Sequence, residues 1–148
     1  MPAFTRLHEC NLPINTRHAP TLESFKYTLR KSYRESNILY YYGQRWPAIH
    51  HARLRIGCSK LKYDLCFNLH VIDDPSCSCG AHIEDAEHFF LFCPNYNDIR
   101  VNSYTSFPDM NYFDISTILY GNHDLPVEAN KAVFEAVHKF MIDSKRFD

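Results

Sequence analysis

The sequence has no apolar run approaching the roughly 20 residues that a membrane span requires. Residues 1–20, interrupted by Arg6, His8, Glu9 and Arg17, also lack the apolar core of a secretory signal. These two absences lead us to expect a soluble, intracellular chain with no membrane partner, whose six cysteines stay reduced rather than pairing as disulfides. Glycine is scarce at four residues and proline at eight, too few to mark a long flexible linker. Neither an internal repeat nor a low-complexity tract is present. Net charge is nearly absent too, at −1, but the balance conceals a segregation. Residues 1–72 carry eleven Lys and Arg against four Asp and Glu, or +7, whereas residues 73–148 carry five against thirteen, or −8. Such asymmetry suggests that a polyanion contacts the first half; the plainer alternative is two faces that pair with each other.

What the chain does have is apolar and aromatic content, 45% and 15% of its 148 residues, enough for one ordinary domain. Its periodicity is helical. Residues 1–19 carry no motif and read as a loop or the remnant of a preceding region. Thr21 then caps a predicted amphipathic helix with Leu22, Phe25, Leu29 and Tyr33 on one arc and Lys26, Arg30 and Arg34 along its flank. Tyr40, Tyr41, Tyr42, Gly43 and Trp46 form an aromatic cluster after it. Ile49, Ala52 and Ile56 have helical spacing with Gly57 placed to end the helix, and Ser59 can cap a short helix carrying Leu61, Leu65 and Leu69. Residues 20–72 thus read as a basic helical segment. In the acidic part, residues 73–148, Pro94 can start a helix reaching about Tyr104, and Asp114 and Gly121 bracket a short one holding Ile115, Ile118 and Leu119. Val133, Phe134, Val137, Phe140, Met141 and Ser144 line one face of a C-terminal amphipathic helix. The expected fold is therefore mainly α, a small irregular helical domain over residues 20–148 containing a zinc knuckle.

That knuckle is the feature with specific chemistry. Cys77, Cys79, His88 and Cys93 are spaced C-x-C-x8-H-x4-C. Cysteines at i and i+2 point the same way in an extended chain, and Gly80 permits the turn that brings both sulfurs to one ion. Tetrahedral zinc wants sulfurs about 3.8 Å apart, with Zn–S near about 2.3 Å. Glu84 and Asp85 suit the start of a short helix bearing His88, and Pro94 turns Cys93 off the helical path. Phe89, Phe90, Leu91 and Phe92 are expected to form a dry wall. Four protein ligands leave no open position, so one structural Zn²⁺ is expected rather than a hydrolytic site. His82 is the rival to His88, and four unrelated core side chains are the bland alternative. Cys10, Cys58 and Cys66 have no comparable spacing and read as inert thiols.

Aromatics interleaved with cations suit a single-stranded nucleic acid, although aromatic burial is the commoner use of such rings. Three thiolates and Glu84, Asp85 and Glu87 make the knuckle a poor match for phosphate, so any RNA or DNA should meet the basic half through Arg45, Arg53, Arg55, Lys60 and Lys62.

Tyr41-Tyr42-Gly43, His51-Ala52-Arg53-Leu54-Arg55-Ile56-Gly57-Cys58-Ser59, Cys77-Ser78-Cys79-Gly80, Glu87-His88-Phe89 and Cys93-Pro94 occur in that order. In order and spacing they resemble the zinc-binding region that follows the polymerase in non-LTR retrotransposon reverse transcriptases. The resemblance covers about residues 20–148. It implies a nuclear module that helps a larger polymerase hold template RNA or target DNA, with Cys77, Cys79, His88 and Cys93 as the metal ligands. No Tyr-x-Asp-Asp polymerase motif is present, and Pro108-Asp109 only faintly suggests a nuclease, so the chain is expected to be non-catalytic and a truncated copy of a longer element. Two rivals stand beside this reading: a zinc-structured protein–protein interaction module without nucleic-acid binding, and an enzyme in which His88 activates Cys93.

Overall fold

The computed structural model describes residues 42–105 and 113–148, all within one compact unit, Ser36–Asp148. The predicted helix of Leu22 to Tyr33, residues 1–19, Tyr40, Tyr41 and Pro108-Asp109 lie outside the described residues. Among those described the fold is mainly α and has no strand. Four α-helices, α1 (Arg45–Arg55), α2 (Asn97–Tyr104), α3 (Ile115–Tyr120) and α4 (Val127–Ser144), are joined by two π-helical turns, Asp64–Asn68 and His88–Phe92, and a 3₁₀ turn, Pro94–Tyr96. None of the helices described is long and apolar enough to cross a membrane.

α4 is the centre of the fold and packs against α1, α2 and α3. Val133, Phe134, Val137, Phe140 and Met141 are buried along the face its periodicity predicts. Phe140 meets the rings of Phe89, Phe90, Tyr96 and Tyr104 at centroid distances of 5.1, 5.6, 6.2 and 5.6 Å. Burying each such side chain contributes about 1.5–3 kcal/mol relative to leaving it exposed. After α4, Lys145 adopts a left-handed conformation, φ 52°, and the chain turns back. Phe147 thereby enters the core, 1% exposed, 5.3 Å from both the Phe89 and His50 rings.

The predicted boundaries hold where local chemistry sets them. Asp114 accepts from the Thr117 N–H at 2.7 Å and caps α3, which Gly121 closes at φ 78°. At the end of α1, Cys58 N donates to Arg53 O (2.9 Å) and Gly57 N to Leu54 O (3.3 Å), the paired bonds of a Schellman motif, with Gly57 at φ 70°. Ser59 departs from its predicted role: its N–H and hydroxyl both donate to Asp64, and its Oγ accepts from Leu61 N, which ties the turn together.

α1 turns the opposite way from its hydrophobic pattern. Ile49 and Ile56, 40% and 53% exposed, face outward with Arg45, Ala52 and Arg53, while His50, His51, Leu54 and Arg55 are buried. The reason lies in α3, too short to bond its last carbonyls internally. His51 Nε2 donates to Ile118 O at 2.8 Å, and Arg55 Nε donates to Leu119 O. Because a carbonyl only accepts, His51 carries its proton on Nε2. Its Nδ1 then accepts from Arg55 Nη2 (3.0 Å) and faces His138 Nε2 (3.2 Å). Two apolar side chains are left outside so that two polar ones, His51 and Arg55, can finish a neighbouring helix.

Candidate metal centre

The two limbs of the site are shaped separately. In the first, Cys77 N donates to Ala81 O (2.9 Å) and Gly80 N to Cys77 O (3.0 Å), a turn that requires the φ of 97° at Gly80 and points Cys77 and Cys79 inward. Glu84 N donates to Pro75 O at 2.8 Å and closes the loop. In the second, Asp85 Oδ1 accepts from His88 N at 2.7 Å, fixing the start of the helical turn. Cys93 N then donates to His88 O at 2.7 Å, an i→i+5 bond. In a regular α-helix residues five apart lie about 140° apart around the axis, whereas the wider π closure seats Cys93 back over His88. Cys93 itself is extended, φ −62° and ψ 119°, as a residue before proline should be. Asn95 Nδ2 donates to Ser78 Oγ at 3.2 Å and bridges the limbs.

The result brings the four predicted ligands together. Cys77 Sγ and Cys93 Sγ are 3.8 Å apart, Cys79 Sγ and His88 Nε2 are 3.3 Å apart, and all four ligand atoms lie within 4.8 Å of one another. A tetrahedral ion with S and N ligands has edges of about 3.8 and about 3.5 Å, so this donor set can hold one metal ion. His82 is exposed and outside the cluster. Cys77 is 6% exposed, and Cys93, Phe89 and Phe90 are fully buried; Phe92, at 65%, faces away, so the expected dry wall is built by Phe89 and Phe90. Burial, and then the adjoining Cys77 thiol, push the Cys93 thiol up to about 12, while the Ala81 backbone N–H and the neighbouring thiols lower Cys79. Binding a metal there would require the Cys93 thiol to give up its proton.

Residues that no spacing marked hold the site in place. Arg100, 8% exposed on α2, donates from Nε to Phe90 O (2.8 Å) and from Nη2 to Cys93 O (2.9 Å) and Phe89 O (3.4 Å). Glu84, read from sequence as part of an acidic knuckle surface, is instead 4% exposed. It accepts from Arg146 Nε (2.8 Å) and Nη2 (2.5 Å) and from Lys62 N (3.0 Å). Burial alone would raise its carboxyl, yet Arg146 and the Lys62 N–H overcome this and hold it below the ordinary range. Nothing in the pattern of the sequence separates Arg100 from its polar neighbours. Nor does anything in it mark Arg146.

The five predicted nucleic-acid contacts divide. Arg45 and Arg53 are exposed on α1 and form no ion pair with a described carboxylate. Lys60 Nζ donates to Phe147 O (2.7 Å) and Asp148 O (3.0 Å), and Lys62 Nζ to Ser76 O (2.7 Å), so both amines are partly engaged by the chain's own carbonyls. Arg55 is a correction: it is 7% exposed, committed to α3 and His51, with its guanidinium 5.2 Å from the centre of the Phe134 ring. Tyr42 donates to Glu135 at 2.6 Å and Trp46 packs on the core, 4.6 Å from the His50 ring. Comparison with protein-family models, curated proteins and solved structures finds no match to this chain.

Proposed function

We propose that the chain is a zinc-stabilised, non-catalytic module that binds single-stranded nucleic acid, RNA or target DNA, through the exposed face of α1. The observation that carries this reading is the donor set of three sulfurs and one imidazole nitrogen in a partly buried cluster whose ligand atoms all lie within 4.8 Å of one another. Soft thiolates favour zinc, and four protein ligands saturate it, leaving no site for substrate. The metal's contribution is then to the fold: it would clasp residues 77–93 against α2 and α4.

The nucleic-acid part rests on charge. No Asp or Glu occurs between Glu35 and Asp64, a stretch that includes all of α1 and the exposed Arg45 and Arg53. The resemblance to the region after the polymerase of non-LTR retrotransposon reverse transcriptases supports the same reading, and with it a nuclear setting. Titrating zinc-loaded protein into labelled single-stranded RNA and DNA over a range of salt tests it. Arg45→Ala with Arg53→Ala should weaken binding and flatten the log K against log salt slope by roughly 1.4, near 0.7 for each phosphate no longer neutralised. No binding at low salt would end this reading. A second reading, a protein-interaction module, is favoured by one observation: Ile49 is exposed on the same helix as the two arginines and Ile56 at its C-cap. It predicts a partner bound with little salt dependence and released by Ile49→Asp.

A further inference from the structure

Arg100 presents an unbalanced charge. Its guanidinium is buried at 8% exposure and makes no ion pair with a carboxylate among the described residues. Its partners are the carbonyls of Phe89, Phe90 and Cys93, Asn97 Oδ1 at 3.4 Å, and the face of the Phe140 ring, 6.0 Å from its centre, none of which carries a full negative charge. A buried cation held only by neutral groups is costly, and native folds rarely keep one without an opposing charge nearby. Carbonyls at the end of a helical turn offer a partial negative charge, but not a whole one.

The missing charge is at hand on the other side of the turn. Three thiolates and one imidazole around a divalent ion sum to −1, and Cys93, whose carbonyl Arg100 grips, contributes one of those thiolates. We propose that Arg100 is the counter-charge and positioning residue of the metal centre: it holds the π turn that seats Cys93 over His88 and offsets the net negative charge of the loaded site. This rests on the metal reading of the cluster given above. The reciprocal holds for the site. Cys79 and His88 are half-buried, but on the side of Cys77 and Cys93, backed by Phe89 and Phe90, water screens the excess thiolate charge poorly, and a fixed cation does so without solvent. The site is thereby matched to a three-thiolate set.

The test measures zinc affinity by chelator competition on the full chain, with far-UV circular dichroism confirming the fold of each variant. Arg100→Gln should lower affinity by roughly 10–100-fold, the usual effect of losing an outer-shell partner. Arg100→Lys, which keeps the charge and loses the fork, should lose several-fold less. The decisive measurement places Arg100→Gln in a Cys79→His background, where two thiolates make the loaded site neutral. The loss there should shrink several-fold if charge is what Arg100 supplies. Equal losses in the two backgrounds, or equal losses for Gln and Lys, would reduce Arg100 to a hydrogen-bonding strut and overturn the proposal. A wild-type protein that binds zinc while Arg100→Gln binds it equally well also overturns it. Wild-type protein that binds no zinc overturns the metal reading itself, and this proposal with it.

Discussion

Arg53 and Arg55 are two residues apart on one helix, and the structure assigns them opposite roles, which makes their alanine variants a sharp test. Arg55 donates to Leu119 O at the end of α3 and to His51 Nδ1, and lies over Phe134. Hydrogen bonds from a charged group contribute about 1.5–3 kcal/mol each, and the two are not additive because both acceptors belong to one cluster. Arg55→Ala should therefore destabilise the fold by about 2–4 kcal/mol, a large share of a small domain's stability. Arg53 is exposed and without an ion-pair partner among the described residues. Arg53→Ala should change stability by less than about 0.5 kcal/mol. Urea unfolding of both variants at a fixed zinc concentration reads the difference as a shift in midpoint at constant slope. Binding reverses the order: Arg53→Ala should weaken RNA binding, and Arg55→Ala, studied where it remains folded, should not. If Arg55→Ala keeps the wild-type midpoint, the argument that α1 turns its polar face inward to finish α3 is wrong.

Two further outcomes follow from the same geometry. Metal analysis of the purified protein should find one zinc per chain, lost in Cys77→Ser and in His88→Ala and retained in His82→Ala; retention in His88→Ala would remove the imidazole from the ligand set. Burial, with Arg55 next and Glu135 opposing, lowers His138 to about 4 in the folded state from an ordinary 6.5. Between those values the unfolded chain takes up the proton and the folded one does not. The stability that neutral His138 supports is therefore complete above about pH 6.5 and lost as pH falls to about 4, a change of about 3 kcal/mol. His51, itself lowered well below 6.5 mainly by burial, adds to the same trend. Apo His138→Gln should accordingly show a shallower fall in stability than apo wild type over that range, and parallel curves would refute the assignment.

The elements legible in the sequence are those whose causes are local. Asp114 with Gly121, Gly57 at the end of α1, Pro94 before α2 and the apolar arc of α4 each act within a few residues, so spacing alone locates them. The ligand set was legible for the same reason: its two limbs are turns of five or six residues, and only their meeting is tertiary. α1 shows where this fails. Ile49, Ala52 and Ile56 have helical spacing but face solvent, because the burial of His51 and Arg55 answers a need created by α3, more than 60 residues away in the chain. A hydrophobic pattern records what a helix could bury, whereas a neighbour's unsatisfied carbonyls decide what it does bury.

The same reasoning explains why the π turn at His88–Phe92 could not be seen. Sequence periodicity supports a helix there, and an α-helix would carry Cys93 away from His88; the i→i+5 bond that reunites them is sustained from outside, by Arg100 gripping the carbonyls of Phe89, Phe90 and Cys93. Phe89 and Phe90, inside that turn, are fixed in turn by Phe140 of α4, and Phe89 also by Phe147 of the returning tail. The four candidate ligands are thus linked to α2, α4 and the tail by side chains outside the donor set. Removing the ion should loosen this packing as well as the knuckle, and disrupting the packing should weaken the hold on the ion, since the two equilibria are linked.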